Sequence, residues 1–196
     1  MPPCTPKLVN DRKVVFMSHN PAAALLPEHS SSQVSQEEFR EAMSLLGAPV
    51  VLVTTDGPGG RQGLTVSAIS SVSDTPPTVL VCLNRSNRSH QSFLQNGIVG
   101  ISVLSPNHSD LARVFASRSL DAQEKFSHGT WEIGETGAAL LSDALVTLDC
   151  VIRTIHSAGT HDVLFCEVQS IYNNREAEHG LTWFSRDFHH LPIKKQ

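Results

Sequence analysis

Val50-Val-Leu-Val-Thr-Thr-Asp-Gly-Pro-Gly-Gly-Arg-Gln-Gly-Leu-Thr-Val-Ser-Ala-Ile-Ser-Ser-Val-Ser73 is the stretch whose reading decides the fold. Val50 to Thr55 reads as a strand and Asp56 to Gly63 as a turn. Leu64 to Ser73 reads as the returning strand, with apolar Leu64, Val66 and Ala68 set against polar Thr65 and Ser67. The turn carries Gly57, Gly59, Gly60 and Gly63, which invites comparison with a dinucleotide fingerprint. That fingerprint needs glycines at its first, third and sixth positions and a helix after them. Counted from Gly57, the sixth position is Gln62, and a strand follows. No Lys-Ser/Thr pair completes a P-loop either, so the segment is a hairpin turn.

Upstream, the period changes from 2 to 3.6. Ser35 and Glu38 form a capping box, and Phe39, Ala42, Met43 and Leu46 fall on one face of a helix that Gly47 closes. Five of the eleven prolines lie in the first 27 residues, so residues 1 to 34 read as an extended arm, either disordered or laid on a neighbouring subunit. One short strand is possible within it at Lys13 to Met17. Residues 35–196 read as one domain.

Downstream of Pro76-Pro77, Thr78 to Leu83 and Ile98 to Leu104 read as strands. Ser89 to Gln95 and His108 to Ala116 read as short helices, and residues 117–130 are polar and weakly patterned. Ala144 to Ile155, Asp162 to Tyr172 and Gly180 to Phe184 are further strands. Six or seven strands with only short helices between them cannot build a doubly wound sheet, which needs long crossovers. The fold expected is mainly β, an antiparallel barrel with a few peripheral helices.

Composition narrows the function. The 196 residues are 40% apolar and 17% charged, enough for a real core. A net charge of −4, from 15 basic and 19 acidic residues, argues against a nucleic-acid binder. The longest apolar run, Pro49 to Val53, is far short of the roughly 18 residues of a membrane helix. The N-terminus lacks the charged and apolar regions of a secretory signal. Cys4, Cys82, Cys150 and Cys166 form no CxxC pair, and the last three sit in strand-like runs, as buried free thiols of a cytoplasmic protein would. The ten histidines show no metal spacing, so no metal is expected, and no GxSxG motif supports a serine hydrolase.

Three segments carry candidate chemistry. Thr65 to Ser73 holds five hydroxyls in nine residues; Thr65, Ser67 and Ser71 share a face if a bulge lies near Ile69-Ser70. Such a row can hold a phosphate, or it is a plain solvent-facing strand. Asn84-Arg-Ser-Asn-Arg-Ser-His90 follows a buried strand and opens a helix; Ser86, Arg88 and Ser89 there make an anion site or a capped surface loop. His161, in Gly159-Thr-His-Asp162, opens a long strand as a functional group or as a turn residue.

Read in order, these segments resemble a known family. The run is Phe39-Arg-Glu-Ala-Met43, Val53-Thr-Thr-Asp-Gly57, Gly63-Leu-Thr-Val-Ser-Ala68, Ser71-Val-Ser-Asp-Thr-Pro-Pro77, Val81-Cys-Leu-Asn-Arg85, Phe126, Trp131, Gly159-Thr-His-Asp-Val-Leu-Phe-Cys166 and Gly180-Leu-Thr-Trp-Phe184. It resembles the short-chain flavin reductases over residues 36–191. Within them it is similar to the reductase of the pyrimidine monooxygenase system and to the 4-hydroxyphenylacetate monooxygenase reductase.

The resemblance implies an FMN-binding split β-barrel, homodimeric, that passes a hydride from NADH or NADPH to FMN or FAD for a separate monooxygenase. It implies a flavin site built from Thr65, Val66, Ser67, Ala68, Ser71, Cys82, Asn84, Ser86, Arg88, Ser89 and Phe126. His161 is placed beside the flavin and nicotinamide rings as the catalytic residue. Arg88 is the one nearby cation expected. A specialised reductase such as a corrin reductase, or a flavin-binding electron carrier, is the alternative on the same barrel. One departure matters: Ala48-Pro49 stands where many relatives have Gly-Val or Ala-Val, and proline has no N–H to give a flavin.

Overall fold

The structure is a computed structural model that describes residues 15–16, 34–174, 176 and 178–194. The expected arm therefore lies outside the described residues except for Val34 and the short strand β1, Val15–Phe16. The main sheet is built from β3 (Val51–Thr55), β4 (Gln62–Val66), β5 (Ile69–Asp74), β6 (Pro77–Asn84), β7 (Ile98–Val103), β10 (Val146–Ala158) and β11 (His161–Asn173). Its order is β4-β3-β7-β10-β11-β6-β5, antiparallel throughout, and β1 pairs in parallel with β10 off this path.

One feature of that order fixes the shape. Strands β4 and β5 are consecutive and separated only by Ser67 and Ala68, yet they lie at opposite ends of the hydrogen-bonded path. Val66 and Ile69 are three residue steps apart, a span of at most about 11 Å. The sheet must therefore curl until its ends meet at that bend, with no ladder joining β4 to β5: an antiparallel barrel split along one seam. The sequence reading had Leu64 to Ser73 as one strand with a bulge near Ile69-Ser70. The observed break lies earlier, at Ser67-Ala68, where the chain leaves one edge and joins the other. Ser67 O accepts from Ile69 N and Ala68 O from Cys82 N, which bends the chain and ties it to β6.

The apolar run before the turn is buried on both faces, as a central strand requires. Val51 and Val53 face the barrel interior with Val81, Phe93, Ile101 and Leu164. Val50 and Leu52 face outward, where α3 (Ser109–Ala116) covers them with Leu111, Ala112 and Phe115. Gly63 makes this contact possible, since a Cβ there would lie 2.6 Å from the Phe115 ring.

A second sheet, β13 (Asp187–Pro192), β12 (His179–Phe184) and β2 (Ala48–Pro49), lies beside the barrel, with Pro49 on its edge strand. Strand β13 has no counterpart in the sequence reading, nor does the hairpin of β8 (Trp131–Ile133) and β9 (Ala139–Leu141). Residues 117–130, read as unpatterned, contain α4 (Ala122–Phe126), capped by Asp121 and Glu124. Helix α1 (Gln36–Ser44) has the expected capping box, but Leu45 is its C-cap rather than Gly47. Its apolar face is not core: Phe39, Met43 and Leu46 are 58%, 45% and 64% exposed.

Candidate functional site

The loop between β6 and α2 (His90–Asn96) is shaped by its own asparagines. Asn84 Oδ1 accepts from the Ser86 amide and hydroxyl, both at 2.8 Å, and Asn87 Oδ1 accepts from Ser89 N at 2.9 Å. Such side-chain turns hold a loop without help from the ladder. Ser89 is buried, and its hydroxyl donates to Gln62 Oε1 at 3.0 Å, which anchors the loop to β4. Ser89, read from the sequence as a helix N-terminal anion contact, is the N-cap of α2 but makes no side-chain capping bond.

The loop forms one wall of a cavity of about 310 Å³. Asn84, Ser86, Arg88 and Ser89 come from the loop, Thr65 from β4, Phe115 from α3, and Arg118 and Lys125 from the segment after α3. The expectation that Arg88 is the only nearby cation is therefore wrong. Lys125 is buried, with Nζ donating to Phe115 O at 3.0 Å and Gly63 O at 3.4 Å. Burial, and then the charge of Arg88, holds its pKa below the usual lysine value. Among the described residues no carboxylate lines this cavity, although the chain is net acidic. Three cations gathered with no counter-charge make a site for an anion.

Lys125 and Arg118 went unread because residues 117–130 have no hydrophobic period. The Asp121/Glu124 capping box was the available signal, the same one that marks α1.

A second cavity, about 250 Å³, adjoins the first through Thr65 and Ala116, which line both. Val50, Val66, Ser67, Trp183 and Phe188 are among its walls. It is mostly apolar, with the Trp183 and Phe188 rings in edge contact at 5.1 Å between centroids. The Thr65 hydroxyl donates to Ala112 O at 2.7 Å, so it reaches a ligand only as an acceptor. Together the cavities form a groove with Arg88, Arg118 and Lys125 at one end and mostly apolar walls at the other, where Arg113 lies over the Phe188 ring at 4.8 Å. That donor set fits a phosphate joined to a flat ring system.

The other expected residues divide. Ser67 and Ala68 are exposed on the bend, with Thr65 on β4 and the exposed Ser71 on β5, so the three do not share one strand; Thr65 and Ser67 line the apolar cavity and Ser71 lines neither. Cys82 acts through its amide at the bend, and its half-buried thiol is pushed up in pKa by desolvation. Phe126 stands behind the cationic cavity, edge-on to Phe115 at 5.2 Å, with Arg61 over its ring at 5.1 Å. His161 lies opposite Asn84 across the ladder, its Nδ1 2.9 Å from Thr160 Oγ1, and it is not among the residues lining either cavity. Cys150 and Cys166 are buried free thiols; burial raises Cys150 to about 12 and pushes Cys166 up as well. Among the described residues no cluster of His, Cys, Asp or Glu is placed to hold a metal, and no helix is long and apolar enough to cross a membrane.

With this geometry in hand, comparison with known proteins is direct. Residues 43–192 match the model of the flavin reductase like domain. A Pseudomonas syringae pv. syringae protein named FMN reductase (NADH) RutF is 47% identical over 169 residues, covering 86% of this chain and 92% of that protein. The crystal structure of BorF, the flavin reductase component of a bacterial two-component tryptophan halogenase, superposes with a TM-score of 0.76. It is 27% identical, covering 82% of this chain and all of BorF. The Streptomyces globisporus NADH:FAD oxidoreductase SgcE6 superposes with a TM-score of 0.75 at 26% identity, covering 86% of this chain and all of SgcE6.

Proposed function

This chain belongs to the flavin reductase like domain family, and from that membership we propose that it reduces FMN with NADH and supplies the reduced flavin to a separate monooxygenase. The observation that carries the reading is the groove. Arg88, Arg118 and Lys125 surround one end with no carboxylate among them, and Trp183 and Phe188 wall the other. In this reading the flavin phosphate occupies the cationic end and the isoalloxazine ring lies toward the Thr65–Ala68 bend.

When bound, NADH and flavin supply the hydride chemistry themselves, and the protein supplies orientation and charge placement. Arg88, Arg118 and Lys125 would hold the phosphate. The Thr65–Ala68 bend and the Trp183 and Phe188 walls would hold the flavin ring. His161, across the ladder from Asn84, is proposed to orient the nicotinamide. Ring stacking at van der Waals distance gives a proximity effect rather than requiring a protein nucleophile.

Lys125 already donates to two backbone carbonyls, so the phosphate is held by partly engaged cations and hydroxyls. That suits a flavin that must leave after reduction. FMN is preferred over FAD because the relative at 47% identity is named for FMN. A homodimer is proposed from the exposed Phe39, Met43 and Leu46 of α1, and a cytoplasmic location from the free thiols Cys82, Cys150 and Cys166.

The test is absorbance at 340 nm with NADH and excess FMN. Sustained turnover over many equivalents of protein supports the reductase. A protein that turns yellow but does not consume NADH is an electron carrier. FAD and NADPH in the same assay rank the alternatives, and sedimentation at twice the chain mass establishes the dimer.

A further inference from the structure

We propose that Asp162, which does not line the groove, is a positioning residue that aims the Asn84–Ser89 loop at Lys125. The proposal rests on the reading that this loop holds the flavin phosphate. Asp162 sits near the start of β11, opposite Leu83, and is 5% exposed. Its Oδ2 lies 2.8 Å from His90 Nε2, and its Oδ1 accepts from the Ser157 hydroxyl at 2.7 Å. Arg85 Nη1 is 4.0 Å from the same Oδ1.

The placement of those partners is what matters. Arg85 is the first residue after β6 and His90 is the first residue of α2. One buried carboxylate thus reaches both ends of the loop that walls the cationic cavity. Arg85 is fastened further, its guanidinium to Gly159 O and its amide to Thr160 O at 3.0 Å. Gly159-Thr-His-Asp162, which the sequence marks for His161, is therefore also the bracket of the anion loop.

The asparagine turns inside the loop fix its local shape, but not its direction relative to Lys125 on the far wall. With both ends held, Ser86 and Arg88 are carried over the cavity. Burial by itself would raise the Asp162 pKa. Hydrogen bonds from Ser157 and His90, with the charges of His90 and Arg85, outweigh burial and hold it below the usual carboxylate value. The group is ionised at neutral pH and can hold its partners by charge-assisted bonds.

The experiment uses the full chain, with FMN and NADH varied independently in steady state. Asp162→Asn is expected to raise the KM for FMN about tenfold, while kcat and the KM for NADH stay within about twofold, because only the aim of the phosphate loop is lost. His90→Ala should reproduce this, and His90→Gln, which keeps an N–H donor, should restore most of the affinity. The double variant Asp162→Asn/His90→Ala should be no worse than either single one, since both break the same contact. Ser157→Ala, on the side away from the loop, should leave FMN binding near wild type.

A folded Asp162→Asn with unchanged KM for FMN overturns the proposal, and so does strict additivity in the double variant. If Asp162→Asn does not fold, the His90 pair decides: equal KM for FMN in His90→Ala and His90→Gln overturns it. Loss of FMN affinity in Arg88→Glu with none in Asp162→Asn removes the positioning role alone. Indifference to Arg88→Glu removes the phosphate assignment beneath it.

Discussion

Two loops abut opposite ends of α2, and they use their polar groups in opposite ways. The glycine-rich turn, Asp56 to Arg61, packs against the last residue of the helix. Asn96 Oδ1 accepts from Gly59 N at 2.6 Å, and its Nδ2 donates to Gly60 O at 3.0 Å. Asp56 pairs with Arg61 at 2.7 Å, and a Cβ on Gly57 or Gly59 would meet Asn96 or Gln95 at 2.9 Å. Its charged and polar groups are thus engaged within the protein. The Asn84–Ser89 loop leads into the first residue of the same helix. It keeps its asparagines for shape but leaves Ser86 and Arg88 exposed over the cavity, and among the described residues Arg88 has no carboxylate partner within 4.0 Å. Glycines mark where backbones approach closely. The Ser86 amide and hydroxyl donate to Asn84, so what marks the ligand site is the charge the fold has left unpaired at Arg88.

That contrast can be broken by substitution. The largest effect is expected from Arg88→Glu, which replaces attraction for a phosphate with repulsion at an exposed position. At about 1–2 kcal/mol for each sense of charge, the KM for FMN should rise about 30-fold or more, with the melting temperature nearly unchanged. An unaltered KM for FMN would mean the loop is as inert as the glycine turn.

His161→Ala comes next. If His161 orients the nicotinamide, the KM for NADH should rise or kcat fall about tenfold, the equivalent of about 1.4 kcal/mol, with FMN affinity changed less. A stable variant with full NADH turnover removes His161 from the site and leaves it a turn residue beside Asn84.

Ser67→Asp should weaken FMN about three- to tenfold, because Ser67 is exposed on the bend and lines the apolar cavity, where a bound ring would strip water from the new carboxylate. Folding should be little affected at such a position. Equal FMN affinity with a held melting temperature would show that the bend does not face the flavin.

The smallest effect on flavin belongs to the other loop. Asn96→Ala should lower stability by about 1–2 kcal/mol, read as a fall of several degrees in melting temperature, since two turn groups lose their partner. The KM for FMN per folded molecule should not move. A matching loss of FMN affinity would make the glycine turn part of the site after all.

The sequence determined the strands, because their signals are local. Val50 to Val53 is apolar without a break, and the strand it opens lies buried on both faces; the alternation after Gly63 gives β4; Ser35 and Glu38 start α1 as the capping box requires. The loop Asn84 to Ser89 was legible as a candidate anion site because its residue types carry the chemistry wherever they are placed, and it lines the cationic cavity. What the sequence could not supply was adjacency. Lys125 and Arg118 join Arg88 only because α4 folds under Phe115 and Gly63, contacts between residues up to 62 positions apart. Ser71 stands on a different strand from Thr65 because the chain changes sheet edge at Ser67-Ala68, and strand order is set by pairing across the whole sheet rather than by any nine residues. The apolar face of α1 is real in sequence yet exposed in the fold, since periodicity states that a face is apolar and not what covers it. The local elements follow from backbone preference and side-chain period; the site follows from which elements meet, and only the tertiary structure decides that.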